Sequence, residues 1–140
     1  MYDCVGLEEV NLSRCKLPSV ETALSAFCNV TADTFDISDV AFDSLTYTDS
    51  MFCYATFNQF TLNGTTFPVL DDMQCMFQGL DCPSADFSQV QFPVVTNTSN
   101  AFDDAQIDVL DLSSNTFSQV VDAGYMFLDA KIKNIVFNPN

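Results

Sequence analysis

The sequence predicts an α/β solenoid, a single domain over residues 1–140 wound into about five and a half coils. Three observations carry this expectation: phenylalanines recur every 25 residues without an insertion, further apolar positions recur in the same phase, and each unit contains a strand-period segment. The anchors are Phe27, Phe52, Phe77, Phe102 and Phe127, with Tyr2 one step earlier. Five residues after each anchor stand Leu7, Ala32, Phe57, Cys82, Ile107 and Ile132; eight after stand Val10, Phe35, Phe60, Ala85, Leu110 and Ile135. Ten after stand Leu12, Ile37, Leu62, Phe87, Leu112 and Phe137, and a later column holds Leu17, Phe42, Phe67, Phe92 and Phe117. All 14 phenylalanines fall in these columns, so the period is a packing period and not a compositional accident. One such unit buries too little to fold alone; stacking like on like makes a continuous core.

Within each unit the order of elements follows from spacing. The apolar-x-apolar pattern of Val10-x-Leu12, Phe35-x-Ile37, Phe60-x-Leu62 and Leu110-x-Leu112 has strand period. It runs into Ser or Asn and a loop carrying Gly64, Pro68 or Pro93. The stretch ending in Met-Phe spaces Leu70, Met73, Met76/Phe77 and Leu80 by three to four, which predicts short helical turns. Each coil is thus strand, loop, helical turn, loop, with a parallel sheet on one face, its strands about 4.8 Å apart.

The run Met51-Phe-x-x-Ala-x-Phe-x-x-Phe-x-Leu62, repeated in phase at Met76, Met126 and more loosely Ala101, resembles the BspA-like leucine-rich repeats of bacterial and protist surface proteins. The resemblance spans essentially the whole chain. It implies a leucine-rich-repeat-like solenoid on a secreted or cell-surface protein that works by adhesion or protein contact. The high aspartate content and the lack of recognisable capping sequence depart from that pattern.

Charge and composition narrow the function classes. Nineteen Asp and Glu against four Lys and Arg give −15, and all four cations (Arg14, Lys16, Lys131, Lys133) lie near the two ends. Such a surface repels nucleic acid and anionic membranes, and suits divalent cations, basic partners or plain solubility. No apolar run reaches 18 residues, so no membrane insertion is expected. Six cysteines, the sequons at Asn11, Asn29, Asn63 and Asn97, and scarce lysine lean toward secretion, with those four asparagines as candidate glycosylation sites. No leader is visible before the repeat begins, which suggests a mature or excised piece of something longer.

Chemistry-bearing constellations are few. Without histidine there is no Ser/His/Asp or Cys/His site, and four glycines include no phosphate-cradling loop. The pairs Asp71/Asp72 and Asp103/Asp104 lack an apolar cleft to raise one acid, so no enzyme is expected. The outward column of the strand face reads Asn11, Asp36, Thr61, Asp86, Asp111, flanked by Glu9, Thr34, Gln59 and Ser84. Asp36, Thr61, Asp86 and Asp111 form the candidate binding face, set against the blander alternative of a wetted sheet surface. Asp86 and Asp111, one repeat apart, are candidate calcium ligands, the only cofactor considered. Replacing both by Ala is expected to spare folding and weaken binding of a basic partner or cation. Cys28 and Cys53 share a column in adjacent coils and are a candidate disulfide. The function expected is a non-enzymatic extracellular repeat domain acting through its strand face. The alternative is a building block that associates through its solenoid ends into a filament or layer.

Overall fold

The computed structural model of the chain describes residues 1–139; Asn140, the last residue of the expected domain, lies outside them. The fold is a parallel β-solenoid of about five turns. Its strands are β1 (Leu7–Asn11), β2 (Thr31–Asp36), β3 (Thr56–Thr61), β4 (Ser84–Asp86), β5 (Gln106–Leu112) and β6 (Lys131–Phe137). The register steps by one repeat throughout: Val10 pairs with Phe35, Phe35 with Phe60, Phe60 with Ala85, and Leu110 with Ile135. Two further ladders of single bridges run along the coils, one through Lys16, Ala41, Thr66 and Gln91, the other through Thr22, Tyr47, Asp72, Asn97 and Asp122.

The predicted columns are the core. Phe52, Phe77 and Phe102 are fully buried, and consecutive rings of the anchor column stack nearly parallel, with centroids 5.3 Å (Phe27–Phe52), 5.7 Å (Phe52–Phe77), 5.1 Å (Phe77–Phe102) and 5.7 Å (Phe102–Phe127) apart. Phe42, Phe67 and Phe92 form a second stack. Strand rings close the gap between the stacks and the sheet edge-on, as Phe87 does against Phe77 at 5.1 Å and 87°.

The sheet is interrupted between β4 and β5, so β1 to β4 form one sheet and β5 with β6 another. Pro83 precedes β4 and has no amide hydrogen to donate toward β3, so pairing of β3 with β4 resumes only at Gln59 with Ser84. Beyond it the coils stay joined by the Asp81–Gln106 bridge and the Asp108 amide on the Pro83 carbonyl.

The helical turns expected from the spacing of Leu70, Met73, Met76 and Leu80 are not helical; no α-helix occurs among the described residues. These stretches are successive tight turns, and the reason lies in their amides. Met76, Gln78 and Leu80 donate three residues back, to Met73, Cys75 and Phe77, while Cys75, Phe77 and Gly79 donate to the next coil, at Ser99, Ala101 and Asp103. Alternate donors therefore leave the segment, and the i to i−4 ladder of a helix cannot form. Left-handed residues bracket each run: Ser25, Ser50, Cys75, Asn100 and Tyr125 at one corner, Asn29, Tyr54, Gly79, Asp104 and Asp129 at the other. Two positive φ values four residues apart end any right-handed helix before one full turn. Apolar spacing of three to four recurs because turns of three residues present the same inward face.

Candidate functional site

The outward side of β1 to β4 carries a shallow open groove of about 470 Å³, lined by Glu9, Thr34, Asp36, Gln59, Thr61, Ser84 and Asp86 over a floor that includes Phe35 and Phe60. Asp36, Thr61 and Asp86 are thus brought together, on β2, β3 and β4. Asp111 is not in that groove; it sits on β5, across the break between β4 and β5. Neutral Thr61 separates the groove's two aspartates, Asp36 and Asp86, which lie two strand steps apart, roughly 10 Å. That is about the screening length at moderate ionic strength, so their mutual repulsion is small.

These acids also have a local task. The Oδ1 atoms of Asp36, Asp86 and Asp111 accept the amides of Ser38, Ser88 and Ser113 at 2.8, 3.0 and 2.9 Å, and Asn11 holds the Ser13 amide in the same way. Each closes an Asx turn where the strand ends. The two bonds from Ser113 hold the Asp111 carboxyl below its usual range, against a smaller opposing effect of burial. Removing such an acceptor costs about 1 kcal/mol, by analogy with a helix cap. Asp86→Ala and Asp111→Ala therefore each carry a stability cost of that order, and Asn, which keeps the acceptor, is the neutral replacement. The Asx motif was visible as Asn/Asp-x-Ser at four strand ends, but its period had drawn attention to the face and not to the turn.

The other acids of this region are engaged separately. Asp39 faces Arg14 at 3.8 Å with both side chains largely exposed, and Asp33 accepts from Asn58 at 2.9 Å. Among the described residues, no group of three or more carboxylates, thiols or imidazoles stands close enough to hold a metal ion. Asp86 and Asp111, the calcium candidates, are each turned toward their own serine amide on strands of different sheets.

Cys28 and Cys53 are both buried thiols at the same position of adjacent coils. Their column continues through Gln78, whose Oε1 lies 3.7 Å from the Cys53 sulfur and whose Nε2 donates to the buried Asp103 at 2.8 Å. Burial, with a smaller contribution from the neighbouring thiols, pushes Cys53 up to about 12, and burial does the same for Cys82. Both are therefore protonated and unreactive at neutral pH. With iodoacetamide at neutral pH, exposed Cys15 is expected to alkylate first and Cys53 and Cys82 only on unfolding; early labelling of Cys82, read by mass spectrometry, would contradict the burial described here.

Of the sequon asparagines, Asn11 is exposed and Asn29, Asn63 and Asn97 are half-buried. The Nδ2 of Asn29 donates to Asp3 at 2.9 Å and that of Asn97 to Asp72 at 3.2 Å, so both amides are already engaged. Asn115, absent from every apolar column, is a polar residue that sequence reasoning missed. It is buried, its Oδ1 accepts the Phe92 amide at 2.7 Å and its Nδ2 donates to the Val90 carbonyl at 2.9 Å. In an earlier coil these two bonds are made by backbone, the Phe42 amide on Thr66 and the Thr66 amide on Val40. The amide side chain thus stands in for one missing step of the ladder that ends at Gln91.

Compared with known proteins, the chain matches no protein-family model, no curated protein and no solved structure. No helix among the described residues is long and apolar enough to cross a membrane.

Proposed function

We propose that this chain is a non-enzymatic extracellular repeat domain that makes protein contacts or adheres through its strand face. One observation carries the reading: an open groove over flat parallel strands presents Glu9, Asp36 and Asp86 among small polar groups, with no cation lining it. Such a surface suits a basic polypeptide laid across the strands. The groove is open and shallow, and no histidine stands anywhere in the chain, which favours contact over catalysis. Its coil type is proposed as that of the BspA-like leucine-rich repeats, on the Met51–Leu62 run. The secreted or surface location is supported by the sequons and cysteine usage.

Titration calorimetry with a lysine-rich peptide tests the face. Glu9→Gln/Asp36→Asn/Asp86→Asn is expected to keep the fold and weaken binding markedly more than Asp43→Asn/Asp104→Asn/Asp129→Asn, which removes equal charge from exposed acids outside the groove. Equal losses would reduce the interaction to net charge and remove the face from the proposal.

A second reading, a building block that joins end to end, is favoured by a separate observation. Some apolar ladder positions sealed in the middle coils are exposed in the first and last coils: Phe137 is 51% exposed where Leu112 of the same column is 0%, and Tyr2 59% where Phe52 is 0%.

A further inference from the structure

We propose that the partner of these ends is a second copy of the chain, docked head to tail, with β6 of one copy parallel to β1 of the next in the 25-residue register. The inference rests on the building-block reading above and gives it a partner and a geometry. Among the described residues, β1 pairs only with β2 and β6 only with β5, so each presents one unpaired edge. Continuing the register one step beyond β6 sets Leu7 opposite Ile132, Val10 opposite Ile135 and Leu12 opposite Phe137. It likewise sets Tyr2 over Phe127, extending the anchor stack. Each of these pairings repeats one already made inside the chain, as Ile107 makes with Ile132 and Leu110 with Ile135. The two end surfaces are therefore shaped by the same column rules that pack the coils.

Charge selects this pairing over the others. β6 carries Lys131 and Lys133, and β1 carries Glu8 and Glu9. In the continued register Glu8 of the next copy faces Lys133, whose ammonium already lies 2.8 Å from Asp108 one coil back. The column then reads carboxylate, ammonium, carboxylate. Glu9 faces Asn134, an amide donor, by the same step. Two copies joined by like ends set glutamates against glutamates or lysines against lysines. A net charge of −15 repels the copies at long range, so salt that screens this repulsion assists approach while the apolar columns hold the contact. A head-to-tail contact is heterologous, and without closure it grows into an open chain.

Sedimentation and light scattering across a wide range of protein concentration and salt test this. The wild-type chain is expected to form a ladder of multiples of 15.5 kDa. Leu7→Asp blocks one end and Ile135→Asp the other. Each alone is expected to stay monomeric, and their equimolar mixture to stop at the dimer, because each supplies the end the other lacks. Lys133→Glu is expected to weaken association by about tenfold or more, and Glu8→Lys in the same chain to restore it. This charge swap keeps the test decisive where an apolar-to-Asp variant fails to fold, with circular dichroism as the check. A wild-type chain that stays monomeric overturns both this inference and the building-block reading. Assembly that persists unchanged in the end variants, or a mixture that grows beyond the dimer, leaves a building block and overturns the register proposed here.

Discussion

Phe77→Ala is expected to destabilise the chain by about 3–5 kcal/mol, a loss typical of a fully buried ring. Phe77 is fully buried, stacked between Phe52 and Phe102 and met edge-on by Phe87. The hole left by the ring cannot close easily, because the coil spacing is fixed on both sides by hydrogen bonds, Phe77 amide to Ala101 carbonyl and Phe52 amide to Met76 carbonyl. That loss is a large share of the total stability of an ordinary domain. Phe127→Ala in the last coil of the same column removes a half-buried ring stacked on one side only, with Phe137 edge-on beside it, and roughly half the effect is expected there. Urea midpoints of the two variants check the contrast; equal shifts would mean that the middle coils are no better packed than the last.

Asn115→Leu is expected to cost about 2–5 kcal/mol, from two buried backbone groups left without partners at about 1–3 kcal/mol each. The residues concerned are the Phe92 amide and the Val90 carbonyl, and no neighbouring donor or acceptor other than Asn115 is bonded to them in the structure. The apolar replacement adds buried surface, but little, since Asn115 is already 5% exposed and its volume is similar. Desolvation of the backbone wins. Thermal melting gives the size of the loss. A shift near zero would show that the backbone at Thr116 can resume the bridge seen at Thr66, and that Asn115 is dispensable.

The architecture was legible because its cause is a translation along the sequence. A 25-residue step that puts Phe on Phe also fixes the register, and Leu7, Ala32 and Phe57 line up as the columns require. Two things were hidden for physical reasons. Helical turns and strings of tight turns bury residues at the same spacing, so Met73, Met76 and Leu80 could not tell them apart; the left-handed corners at Cys75 and Gly79 decide the matter, and a Cys or Ser at positive φ leaves no compositional mark. The strand-face acids stand out by period, but the period alone does not reveal that Asp36, Asp86 and Asp111 each also close a turn through Oδ1. Asn115 gave no signal at all, since one asparagine among several marks nothing until its backbone partners are seen.

Residue-level hydrogen exchange tests the stacked-coil architecture most directly. The predicted result is protection that recurs every 25 residues, strong at the coil-to-coil donors Phe52, Phe77 and Phe102 and weaker in β1 and β6, where one edge is unpaired. Continuous protection through residues 70–80 in the manner of a helix, with no 25-residue recurrence, would contradict it.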